Sequence, residues 1–147
     1  MKSTASYAAK RAVFAQLVAQ SATGMPLDGT LVSYEYPARD LTRSVIYGGG
    51  VRFVHTDAAG EWGLVADEAV TVGVYLRVLR PDADVQACEV DVEALADTVC
   101  ALFAAQPNLG GNMTWLGVAS GNGDYSRGPD GPEAVLSLQV MVGAVLT

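Results

Sequence analysis

The feature that most constrains this fold is a run of strict alternation near the middle of the chain. Val70, Val72, Val74, Leu76 and Val78 fall on one side of an extended backbone, and Thr71, Gly73, Tyr75, Arg77 and Leu79 fall on the other. A period of two sustained over this length marks a β-strand whose faces meet different surroundings. The Val/Leu side has to be covered, so the chain must build a sheet with at least one buried face. Arg77 lies on the opposite side, which places it on a solvated sheet face or in an interface.

The cover is legible on either side of that strand. Cys88, Val92, Leu95, Ala96, Val99, Leu102 and Phe103 recur at helical spacing, which predicts a helix over about 84–105. Asp91 offers an alternative N-cap that would shorten it, and Pro107 with Gly110-Gly111 ends it. An alanine-rich stretch predicts a first helix over residues 4–21, with Tyr7, Phe14, Leu17 and Val18 on one face. Gly24 and Pro26 stop it. Strands are expected at 31–36, 44–47, 51–54, 61–66, 68–79, 113–118 and 134–146. Gly48-Gly49-Gly50 reads as a hairpin tip, 57–60 as a turn, and 120–132 as a polar, mobile loop. Helix, meander, helix, two strands predicts an α+β fold: a mostly antiparallel sheet with two helices packed on one face, in a single domain over 1–147.

Charge is distributed unevenly. Between Pro81 and Ser126 there is no Lys or Arg, while Asp82, Asp84, Glu89, Asp91, Glu93, Asp97 and Asp124 account for the whole formal charge of −7. The remainder balances nine acids against nine bases. Phosphate binding needs clustered bases, so specific nucleic-acid binding is not expected. Half of the residues are apolar, which suits a subunit that buries further surface against copies of itself. No apolar run reaches the ~20 residues of a membrane span, and no secretory signal is visible, so neither a membrane partner nor export is expected. Cys88 and Cys100 would stand ~18 Å apart along a helix, too far for a disulfide, and are expected as reduced thiols of a cytosolic product.

Catalytic patterns are absent at the level of sequence. His55 is the single histidine, and a triad or zinc site would need partners for it. The three glycines at 48–50 lack the Lys-Ser/Thr and the following helix of a phosphate loop. The run 121–124 with Asp130 lacks the ligand spacing of an EF-hand. Asp91, Glu93 and Asp97 are expected as a solvated or partner-facing helix side rather than a metal set. The expectation is a protein without enzymatic activity, catalytic residues, metal or cofactor.

Several segments together carry a resemblance. They are the first helix to Val18, Tyr34-Glu35-Tyr36-Pro37, Tyr47-Gly48-Gly49, the strand Val70 to Leu79, and the helix Leu95 to Phe103 closing in Gln106-Pro107-Asn108-Leu109-Gly110-Gly111. Trp115-Leu116-Gly117-Val118, Gly123-Asp124-Tyr125 and the last strand to Leu146 complete the set. The chain resembles the tail terminator (minor tail) proteins of long-tailed bacteriophages. The resemblance implies a virion subunit that forms a homo-oligomeric, hexameric ring at the head-proximal end of the tail tube. There it would stop tube polymerisation and join the tail to the head. The implied partners are further copies of the chain, the tail tube protein and the head–tail connector, with DNA passing through the lumen unbound. The stretch 56–67 departs from the family pattern. A connector or stopper subunit, or a small cytosolic ligand-binding domain, is the alternative. Candidate interface or lumen residues are Arg77, Glu93, Asp97, Arg39, Arg43 and Arg52. The acidic helix would face a basic patch of the next subunit, with Lys10 and Arg11 also available, or would line the lumen and repel DNA. The loops at 48–50 and 120–132 are expected to order on assembly.

Overall fold

A computed structural model describes residues 3–37, 43–58 and 66–146, with the side chains of 56–58 and 66 outside the description. Among the described residues two helices, α1 (Ser6–Gln20) and α2 (Val85–Ala105), accompany six strands. The strands are β1 (Leu31–Ser33), β2 (Ser44–Ala58), β3 (Ala66–Leu79), β4 (Asn108–Gly110), β5 (Met113–Gly128) and β6 (Gly131–Leu146). They form one sheet in the order β1-β2-β3-β6-β5-β4. All neighbours are antiparallel except β1 and β2, which are parallel. This is the expected α+β architecture.

The alternation of β3 organises the core. Val70, Val72, Val74, Leu76 and Val78 are fully buried and share one cluster with Leu138, Val140 and Val142 of β6. The same cluster takes Ala9, Val13, Phe14 and Leu17 from α1 and Cys88, Val92, Val99 and Phe103 from α2, so both helices cover one face. The α1 stripe differs from the expected one. Phe14 and Leu17 point inward, but Tyr7 and Val18 are 64% and 52% exposed. The contact is made through Ala9 and Val13, whose small side chains let the helix approach the sheet closely.

α2 takes the longer of its two readings. Asp84 is the N-cap, its side chain accepting from the Ala87 amide at 2.8 Å, and Asp91 lies inside the helix. Cys88 is buried, Cys100 is half-buried, and both are free thiols. Among the described residues, no helix is long and apolar enough to cross a membrane.

Several expectations need correction. Gly48–Gly50 is no hairpin tip. β2 runs through it as one strand, with a register shift between Gly48 and Val51. Gly48 and Gly49 serve close approach: a Cβ on Gly48 would run into the Tyr34 carbonyl, and one on Gly49 would meet the Tyr75 ring at 2.5 Å. Residues 120–132 are no loop either. β5 continues to Gly128, Pro129 and Asp130 make the turn, and β6 starts at Gly131, whose φ is 118°. Of the turn expected at 57–60, Asp57 and Ala58 belong to β2 and residues 59 and 60 lie outside the described residues; strand β1 stops at Ser33 rather than at residue 36. Of the strand expected at 61–66, residues 61–65 lie outside the described residues, and Ala66 opens β3.

Candidate functional site

A sheet covered on one side leaves two kinds of outward surface, the helix-free face and the outer side of the helices. The helix-free face carries a row that crosses the sheet. Ser33 pairs with Tyr47, Tyr47 with Tyr75, Tyr75 with Ser137, and Ser137 with Asn122. Tyr47 stacks on Tyr75 with centroids 5.0 Å apart and planes at 10°, and Tyr36 meets Tyr47 edge-on at 5.1 Å. Burial pushes the Tyr47 phenol above its ordinary value, and the hydroxyls of Tyr36 and Tyr75 push it further.

Arg77 occupies this face beside the tyrosines. Its Nε donates to Glu133 Oε2 at 2.6 Å, and Ser126 Oγ donates to the other Glu133 oxygen at 2.9 Å. Their side chains are only 15% and 23% exposed, so the pair is partly desolvated and bridges β3 to β6 within the subunit. Arg52 is exposed on the same face, level with Thr71, and lines a shallow depression with Gly73, Tyr75, Ser120 and Gln139.

The outer side of α2 is where the acidic segment sits. Glu89, Glu93 and Asp97 are exposed at helical intervals along it. Asp91 turns away from them. Its Oδ2 accepts from Arg43 Nη2 and from Arg80 Nη1, each at 3.1 Å, tying α2 to the strands beneath. Arg43 therefore works inside the subunit, on the very helix it was expected to meet across an interface. Arg39 lies outside the described residues. The structure does not bring the five described candidates into one patch. Arg77 and Arg52 share the helix-free face, while Glu93, Asp97 and the Arg43 pair belong to the helix side.

One charged residue escaped the sequence reading. Glu68 is 1% exposed and has the same parity in β3 as the buried valines. Its Oε1 accepts from the Ala5 amide at 2.8 Å and from Thr4 Oγ1 at 3.0 Å, at the entry to α1. His55 Nε2 lies 3.1 Å from both Glu68 Oε2 and the Ser3 carbonyl, so it serves as a donor between two acceptors. The only histidine thus anchors the N-terminal segment to β2 and β3. An acid on the apolar side of a strand was the available signal, since such a group must find donors. Among the described residues no three metal-ligating side chains converge.

No protein-family model matches the chain, and no curated protein matches it. Among solved structures it is similar to a chain in a structure described as "Virion of native gene transfer agent (GTA) particle", with a TM-score of 0.66 and 14% identity. The superposition covers 98% of this chain and 100% of that one, so the likeness spans the entire α+β fold. At this identity, fold is what the two chains share.

Proposed function

We propose that the chain is a structural subunit of a phage-like virion. Its finer role is that of a tail terminator: a homo-hexameric ring at the head-proximal end of the tail tube that halts tube polymerisation and presents a surface to the head–tail connector. The observation that carries this reading is the end-to-end likeness to a chain of a gene transfer agent virion. The resemblance of the sequence segments to tail terminators points the same way. The proposal includes no enzymatic activity, and DNA passes through the lumen without specific binding. An acidic chain of net charge −7 suits that passage, because like charges repel.

The arginines divide accordingly. Arg77 and Arg43 hold the subunit together through Glu133 and Asp91. Glu93, Asp97 and Arg52 remain as the outward charges for interface or lumen. The test is polymerisation of the tube protein from the same particle with and without this chain. Tubes of fixed length carrying a ring of this chain at one end are the expected result. Tubes that grow to unlimited length with no chain bound at their tips would overturn the terminator role.

A further inference from the structure

The two borders of the sheet are unequal steps. At one border β1 covers only Val45–Tyr47 of β2. At the other, β4 covers only Met113 and Thr114 of β5. The next groups find local partners: the Trp115 amide donates to the Pro107 carbonyl, and the Gly49 carbonyl accepts from Lys10 Nζ at 2.7 Å. Beyond them, no described strand pairs with the outer side of β5 from Leu116 to Gly128, or of β2 from Gly50 to Ala58.

Such edges are ordinarily blunted by lysine, proline or very short strands. Neither stretch contains Lys or Pro. The uncovered part of β2 carries a register shift between His55 and Asp57, whereas the shifts of β5 lie at 115–117 and 118–120, which leaves Ser120–Gly128 regular. Apolar side chains lie open along both, with Val54 58%, Leu116 57% and Tyr125 63% exposed.

We propose that the uncovered half of β5 pairs with β1 of a second copy of this chain, so that the sheet continues from subunit to subunit. The proposal rests on the ring reading and assigns its interface. Three observations carry it. First, the edges are opposite ends of one sheet, so the contact is heterologous and can close by rotation. Secondly, the ladders put Ser33 and Asn122 at the two ends of the row Ser33–Tyr47–Tyr75–Ser137–Asn122. Continuing that row by one strand spacing, without slippage, sets Asn122 of one copy against Ser33 of the next, both on the helix-free face. β1 and β5 run in opposite directions, so the new pair is antiparallel. The step then brings the uncovered half of β2 opposite β4.

Thirdly, charge matches across the join. α2 lies over β5 and β6, and its Glu89 and Glu93 border a groove with Gly123 and Asp124 of β5. α1 packs against β1, β2, β3 and β4, and its charged residues are Lys10 and Arg11, of which Lys10 reaches the β1 border through the Gly49 carbonyl. The Lys10 ammonium sits 4.2 Å from the centroid of Tyr34, the residue following β1. The acidic helix of one copy therefore meets the basic helix of the next at the level of the new strand pair.

The test combines the mass of the assembly with a crosslink. Directly opposed antiparallel residues stand roughly 4.5–5.5 Å apart at Cα, within disulfide reach. The full chain carrying Ser33→Cys and Asn122→Cys together is expected to give, on oxidation, a covalent ladder ending at the ring number found by light scattering. Either substitution alone, and the parent with Cys88 and Cys100, should give none. Glu89→Lys with Glu93→Lys is expected to raise the concentration at which the ring dissociates by about tenfold or more. A ring that assembles without yielding the ladder would show that copies meet through another surface, overturning the edge pairing and leaving the ring reading intact. A chain that stays monomeric both alone and on the tube tip would overturn the ring reading and the edge pairing with it.

Discussion

Glu68 shows what a single buried charge does in this structure. Its carboxylate is removed from water and compensated by the Ala5 amide, the Thr4 hydroxyl and His55. Truncation leaves those donors without their acceptor, and buried unpaired donors are costly. Glu68→Ala is therefore expected to lower the unfolding free energy by about 2–4 kcal/mol in a urea titration. Tyr47 makes a different prediction. Its phenol is held protonated by burial and by its tyrosine neighbours, above the ordinary value of 10.0. A group whose folded value is raised contributes stability that is present below its unfolded value and lost as pH rises through the folded one. Denaturant midpoints compared near pH 9 and near pH 11 should fall further in the parent than in Tyr47→Phe. Residue identity made the core valines legible, because alternation reports burial directly. It did not reveal Asp91 as a partner of Arg43 and Arg80, since those three positions are joined only once α2 lies across the strands.

Elements were legible where their pattern is local. The α2 periodicity and the β3 alternation each need no information from elsewhere in the chain, and both appear as expected. The two misread segments are rich in glycine and small polar residues, which have weak strand preference of their own. Their strand conformation comes from distant partners. Asn122 to Tyr125 pairs with Ala134 to Ser137, and the glycines of β2 lie against Gly73 and Tyr75. Tertiary pairing overrides local preference there, and close packing explains why glycine is used at all. Gly49→Ala is expected to force the Tyr75 ring to move and to cost about 1–3 kcal/mol, measured as a shift in the denaturant midpoint at constant slope. Gly50, with open space where its Cβ would stand, is the matched control and should tolerate alanine far better. Within 120–128, the amides that face β6 are expected to be protected from hydrogen exchange already in the isolated subunit, because that ladder is internal.

Across the whole molecule, charge is sorted by helix. α1 carries bases and no acid, α2 carries acids and no base, and both lie on one side of the sheet. Association that joins them across copies should weaken as NaCl rises from about 50 mM to about 0.5 M, because screening shortens the reach of exposed charges. Light scattering across that range checks it, and an association indifferent to salt would rest on apolar edge contacts alone. The anchoring of α1 has a further consequence, in the order of events during synthesis. The carboxylate that receives the Ala5 amide lies 63 positions downstream of it. A chain made from its N-terminus exposes the whole of α1 before Glu68 has been added. β6, which also closes over Ala5 through Ala144 and Leu146, follows the other five described strands. The entry to α1 is thus locked in place only well after the helix itself has been made. Until β2 and β3 have been made, the nascent chain presents Phe14 and Leu17 with no sheet to cover them.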